Sequence, residues 1–205
     1  MATSRRVKRR LSLRVRMEQP MGDVVLDRLA AAKIVAALDL ETENRALAEH
    51  WLSLWQGDAL PQRSAFHPAQ LKRYLPNILM FNVVPDTSVT VRLAGTRYNH
   101  ILGAELTGKD WIAAAPEHHR PVRLNLFSTI ARGAVMIDHR RVAMSVGDDI
   151  LVEEILLPFA AEASGVYPVL VHVNLKATQY LKVKSIKQAL GDPVDFKLVP
   201  LAAVG

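Results

Sequence analysis

The chain has 205 residues and a formal net charge of +6, and its content of 50% apolar and 22% charged residues is typical of a soluble globular domain. It contains no cysteine, which excludes disulfide bonds, thiolate catalysis, cysteine-ligated zinc and iron–sulfur clusters. Because no apolar run approaches the roughly 20 residues of a membrane helix and the basic start lacks the apolar segment of a secretory signal, we expect a cytoplasmic protein.

The excess positive charge is confined to residues 1–20, which we interpret as a basic disordered tail. Seven of the 26 basic side chains precede Glu18, the first acidic residue, so the other 19 are balanced by 20 acidic side chains. Such a tail fits binding to nucleic-acid phosphates or to an anionic membrane surface. It also fits an inert solvated segment, or a start placed upstream of the true one at Met17 or Met21. The folded part of the chain is predicted to be nearly neutral.

Residues 21–57 are predicted to form two N-terminal helices. The apolar stripe of the first helix, within residues 23–38, consists of Leu26, Ala30, Ile34 and Leu38. The stripe of the second, within residues 42–56, consists of Leu47, Trp51, Leu54 and Trp55. Two such helices either pack on their own domain or form a symmetric interface. We expect a homodimer whose interface contains Leu26, Ile34, Leu38 and Trp51.

Residues 58–180 are predicted to form an α+β domain with a five-stranded antiparallel sheet that helices cover on one face. The strands are expected at residues 78–84, 89–93, 134–145, 150–159 and 167–175. Short irregular helices are expected over residues 96–115, and a longer helix after Pro116 that ends near Gly133. Residues 181–205 are too few for a kinase, a cyclase or a helix-turn-helix, and we interpret them as a C-terminal extension.

The segment from Trp51 to Trp111 carries a family resemblance. It reads WLSLWQGDALPQRSAFHPAQLKRYLP, then two strands, then GT and GAELTG. This order resembles the first half of a PAS sensory domain and, more closely, a family of small bacterial PAS-like proteins. With the LLP motif at residues 156–158 and the strand after it, the resemblance covers residues 47–176.

The resemblance implies a sensory or regulatory protein that binds a small ligand or a protein partner and has no catalytic activity of its own. PAS domains often pair through N-terminal helices, which agrees with the expected homodimer. A signal would then pass to a separate partner protein. The alternative function is a nucleic-acid or membrane-surface adaptor that binds through the basic tail.

The PAS resemblance also favours a ligand cavity between the sheet and the helices. The apolar candidates for its lining are Met80, Trp111, Phe127, Met136 and Met144. The polar groups that could orient a ligand there are Arg97, Tyr98 and His100. The alternative for each of these positions is ordinary core packing.

No metal centre, catalytic group or coloured cofactor is predicted. Some PAS domains hold haem through a histidine in the middle of the long helix, whereas His118 and His119 lie at its start. Without cysteine, no side chain can tether a flavin or a bilin covalently. Glu153 and Glu154 are neighbours in a strand, so they point to opposite faces and cannot form an acid–base pair. We therefore expect a protein that is not an enzyme and holds neither haem nor flavin.

The glycines of the GT and GAELTG motifs do not form a phosphate-binding loop. The phosphate-binding patterns G-x-x-x-x-G-K-[ST] and G-x-G-x-x-G are both absent from the sequence. Thr107-Gly108-Lys109 is only weakly similar to the end of the first pattern. We interpret Gly95, Gly103 and Gly108 as tight corners that require a positive φ.

Overall fold

A computed structural model describes residues 27–142, 144, 149–174 and 195–201. In these residues, six antiparallel strands form one sheet at the centre of the fold. The strands are β1 (Ile78–Val84), β2 (Ser88–Ala94), β3 (Ala134–Val142), β4 (Ile150–Pro158), β5 (Tyr167–Asn174) and β6 (Asp195–Pro200). They lie in the order β2-β1-β5-β4-β3-β6. The α+β class and the antiparallel sheet are confirmed, and five of the strands occur where apolar patterning predicted them.

Four α-helices pack on this sheet within the described residues. They are α1 (Arg28–Ala37), α2 (Thr42–Ser53), α3 (Thr96–Leu102) and α4 (Arg120–Ala131). Short 3-10 turns cover Arg63–Ala65, Pro68–Leu71, Leu75–Asn77 and Glu117–His119. The carboxylate of Asp27 caps α1 by accepting a hydrogen bond from the backbone N–H of Leu29 at 2.8 Å.

The central strands supply two hydrophobic cores, because successive side chains of a strand point to opposite sides of the sheet. In β1, Leu79, Phe81 and Val83 point to the front face, which α3 and α4 cover. Ile78 and Met80 point to the back face, which α1 and α2 cover. The domain helices therefore cover one face of the sheet, as predicted, and the two N-terminal helices cover the other face.

The sixth strand lies at one edge of the sheet and differs from the prediction of five. It pairs with β3, where Val199 lies opposite Val135. The sheet thus extends beyond the boundary predicted at residue 180, and part of the predicted C-terminal extension belongs to it. Residues 195–200 read DFKLVP, and this short segment has too little apolar alternation to predict a strand without its distant partner.

The N-terminal helices pack on the back face of their own chain. Leu38, Leu47 and Trp51 are buried there, and the indole N–H of Trp51 donates to the carbonyl oxygen of Pro158 at 2.8 Å. The buried positions of α1 are Ala31 and Val35, one residue later than the predicted stripe. The sheet therefore provides the surface that these apolar stripes need.

Two of the four predicted dimer-interface residues are already covered by this packing. Leu38 and Trp51 have 3% and 0% of their surface exposed within a single chain, so they are not available to a second copy in this arrangement. Ile34 is only partly buried, and Leu26 lies outside the described residues. The homodimer itself stays a prediction.

A buried polar network attaches the start of α2 to the sheet. The carboxylate of Glu153 on β4 accepts hydrogen bonds from the backbone N–H of Glu41 at 3.0 Å and from the amide of Asn44 at 2.7 Å. The Nε2 atom of His139 lies 3.2 Å from the other oxygen of Glu153. The Nδ1 atom of His172 lies 2.6 Å from Oδ1 of Asn44, and burial lowers the pKa of His172 to about 4. The network places a negative charge at the positive end of α2, which stabilises that helix.

Candidate functional site

An aromatic group occupies the centre of the front core. The ring centroid of Phe81 lies 5.2 Å from that of Trp111 and 5.1 Å from that of Phe127. The other predicted pocket residues buried in this core are Tyr98, Met136 and Met144. Five of the eight residues predicted to surround a cavity are therefore brought together on the front face.

Strand β3 directs two charged side chains into the same apolar core. Asp138 and Arg140 have the same strand parity as Met136, and only 0% and 6% of their surfaces are exposed. They form a buried ion pair with each other. Glu154 lies on β4 directly opposite Asp138, and its Oε2 atom is 3.5 Å from Nε of Arg140. We call these three residues and Tyr98 the front polar cluster.

In the front polar cluster, the hydroxyl oxygen of Tyr98 and the Oδ1 atom of Asp138 are buried without a hydrogen-bond partner among the described residues. Burial, reinforced by the charge of Glu154, raises the pKa of Tyr98 well above its usual value, so its hydroxyl stays protonated and can donate. An unsatisfied buried polar group costs roughly 1–3 kcal/mol. Such a pair is typical of a site that holds a small ligand or an ordered water.

A comparison with protein-family models matches residues 40–199 to a family described as a PAS domain. The match begins just before α2 and runs through the front core into β6. The chain belongs to the PAS domain family. No curated protein and no solved structure matches it.

Two predicted pocket residues of this PAS domain, Met80 and His100, lie outside the front core, and a third, Arg97, is only half-buried. Met80 points to the back face, because it shares its strand parity with Ile78 and not with Phe81. His100 is exposed on α3, so it is not placed to orient a ligand in the front core. Arg97 is half-buried beside Tyr98 on the same helix.

Sequence reasoning missed the charged members of the front polar cluster. Asp138 and Arg140 lie between Met136 and Val142 on β3 and share their strand parity, and Glu154 precedes the buried Leu156 by two residues on β4. The signal that could have identified them is the presence of charged residues at strand positions whose side chains point into the core. A pattern of apolar side chains alone does not reveal these charged positions.

The remaining candidates lie where their local sequence predicted. Glu153 points to the back face and Glu154 to the front, as expected for neighbours in a strand. His118 and His119 lie in the turn immediately before α4. Within residues 27–142, 144, 149–174 and 195–201, no group of three or more His, Asp or Glu side chains is arranged to hold a metal ion. In the same residues, none of the helices has the length and apolar character needed to cross a membrane.

Proposed function

We propose that this PAS domain is a sensory and regulatory module whose front polar cluster binds a small ligand. The observation that carries the proposal is the burial, in an apolar core, of the Tyr98 hydroxyl and the Asp138 Oδ1 atom, neither of which has a hydrogen-bond partner in the described part of the chain. The hydroxyl needs an acceptor and the carboxylate oxygen needs a donor. A small neutral ligand that has both groups, and an apolar part against Phe81 and Trp111, satisfies these requirements.

The strands that carry the front polar cluster also hold α2 on the opposite face. On β3, Asp138 is followed by His139, and on β4, Glu154 follows Glu153. His139 and Glu153 belong to the network at the start of α2. A ligand that reorients the front side chains therefore acts on strands whose neighbouring residues contact α2. We propose that the signal leaves through the N-terminal helices to a partner protein, without catalysis, as is typical of PAS domains.

Native mass spectrometry of the purified full chain tests this proposal. We expect the wild-type protein to carry an added small mass that is released on denaturation. The Tyr98→Phe variant removes only the hydroxyl, and the loss of a hydrogen bond of about 1.4 kcal/mol or more in a buried site is expected to weaken binding at least tenfold. Tyr74→Phe removes a hydroxyl from the back core and is expected to retain the added mass.

Two outcomes would contradict the proposal. One is a wild-type mass equal to that of the bare chain after gentle purification. The other is an added mass that Tyr98→Phe and Tyr74→Phe retain equally. Circular dichroism of each variant, with the sheet signal of the wild type as reference, separates loss of binding from loss of folding.

A further inference from the structure

A groove on the back face forms a cavity that is separate from the front polar cluster. Its volume is about 440 Å³, and it lies between the 3-10 turns of residues 63–77 and the paired ends of β1 and β2. Its floor contains the buried side chains of Phe66, Ile78 and Met80. We call this cavity the back groove. Its size and apolar floor suit a small organic molecule.

The back groove is lined by three cationic side chains, which are those of Arg63, Lys72 and Arg92. Glu162 accepts hydrogen bonds from Nε of Arg63 at 2.8 Å and from Nη1 of Arg92 at 3.3 Å. These contacts, with Arg63 contributing most, keep the pKa of the Glu162 carboxyl below its usual value, so it is ionised near neutral pH. Among the described residues, one carboxylate therefore opposes three cations, which leaves an excess of two positive charges at the groove.

The donors of these cations are not all used by the protein. Arg92 also donates to Oδ1 of Asn82 at 3.2 Å, which ties it to β1. Arg63 uses only Nε, and its two terminal nitrogens have no hydrogen-bond partner in the described ranges. Lys72 is exposed and likewise has no ion-pair partner within those ranges. A guanidinium with free terminal nitrogens presents the planar donors that match a carboxylate.

We propose that the back groove binds a small organic carboxylate. Its apolar body lies on the floor that contains Phe66 and Met80, and its charge is held by Arg63 and Lys72 at the rim. Both parts of the ligand are required, because a free inorganic anion leaves the apolar floor exposed and a neutral apolar molecule leaves the two positive charges uncompensated.

Two-dimensional NMR of the ¹⁵N-labelled full chain tests the proposal with 2-naphthoate as the probe. We expect the probe to shift the backbone amide signals of Leu93, Gly95 and Thr96, which line the back groove, with a Kd below about 1 mM. The neutral analogue 2-naphthamide has the same aromatic body and is expected to bind at least tenfold more weakly.

Charge variants separate the back groove from general electrostatic attraction. The double variant Arg63→Gln/Lys72→Gln is expected to weaken naphthoate binding at least tenfold. The control Lys33→Gln/Lys109→Gln removes the same charge from exposed sites outside the groove and is expected to bind like the wild type. Both variants must keep the dispersed amide spectrum of the folded protein.

Four results of the probe experiments would overturn the proposal. They are no binding of naphthoate at 5 mM, equal binding of naphthamide, equal weakening in the two double variants, and shifts that cluster around the front polar cluster. Shifts of the groove amides that depend on protein concentration without any probe would identify a second copy of the chain as the occupant, and this too would overturn it.

Discussion

At the scale of single residues, Gly95 illustrates a backbone requirement that differs from the predicted one. Its φ is −63°, whereas Gly103 and Gly108 have the positive φ values of 67° and 80° that the sequence predicted for all three glycines. What Gly95 requires is space, because a Cβ there would lie 2.2 Å from the carbonyl oxygen of Leu75 and 2.5 Å from that of Pro76. Both contacts are with backbone, which cannot move aside as a flexible side chain can.

We expect Gly95→Ala to lower the free energy of unfolding by about 2 kcal/mol, as overpacking against backbone does. Gly165→Ala is the matched comparison, because Gly165 has a φ of 77° but no neighbour within 4 Å of an added Cβ. That variant is expected to cost about 1 kcal/mol from backbone conformation alone. Urea unfolding measures both, and a smaller loss for Gly95→Ala than for Gly165→Ala would refute the close approach.

At the scale of elements, the attachment of α2 to the sheet depends on a neutral histidine. The side-chain amide nitrogen of Asn44 donates a hydrogen bond to Glu153. The Oδ1 atom of Asn44 is therefore the oxygen that accepts a hydrogen bond from Nδ1 of His172. The other ring nitrogen of His172, Nε2, is buried without a partner among the described residues. Protonation would place a second N–H there, with no acceptor for it. Burial accordingly lowers the pKa of His172 to about 4.

This arrangement predicts a loss of stability in mild acid. The pKa of His172 is about 4 when folded and 6.5 in its unperturbed state, so the unfolded chain takes up the proton first. The contribution of the neutral His172 to the free energy of unfolding is present above pH 6.5 and is lost as the pH falls toward 4. Between pH 7 and pH 5 we expect a loss of about 2 kcal/mol, measured by urea unfolding. The variant His172→Gln should lack this pH-dependent loss of stability, whereas His100→Gln, at an exposed position, should retain it. Equal pH dependence in the two variants would count against the buried histidine as its source.

At the scale of the whole molecule, the folding back of α1 and α2 changes which surface a dimer could use. Leu38 and Trp51 are buried within one chain, but Leu29 on α1 is 62% exposed and Ile34 is only partly buried. An apolar side chain exposed on the outer side of α1 suits a symmetric helix–helix contact. The homodimer predicted from the N-terminal helices is therefore best tested at Leu29.

We expect the wild-type chain to be dimeric by light scattering at tens of micromolar, and Leu29→Glu to be monomeric with an unchanged sheet signal. A buried charge at a symmetric contact is repeated in both copies, so its cost is doubled. Val122→Glu is the control, because Val122 is 40% exposed on α4, which covers the opposite face of the sheet from α1. A monomeric wild-type chain, or equal dissociation in both variants, would rule out an interface on α1.

Elements with a local sequence signal could be predicted from the amino-acid sequence. Strand β1 begins at residue 78 and ends at residue 84 as predicted, because a short apolar run is bounded there by a proline and a turn. Helix α2 begins at Thr42 as predicted, and Leu47 and Trp51 of its predicted apolar stripe are buried, whereas Leu54 and Trp55 lie just beyond the end of the helix. Strand parity also placed Glu153 and Glu154 on opposite faces correctly. The PAS family could be recognised because its motifs are local as well.

Features that depend on residues far apart in the chain could not be predicted in this way and are seen in the fold itself. Strand β6 exists because β3 offers an unpaired edge about 60 residues earlier, and its own sequence is too short to show this. Contacts between residues more than 100 positions apart determine which face of the sheet α1 and α2 cover. One of these contacts is the hydrogen bond between Asn44 and Glu153. The front polar cluster and the back groove likewise join segments that are distant in sequence. The local periodicity of apolar residues indicates only which side of a helix or strand is apolar. Long-range packing determines which part of the chain that side packs against.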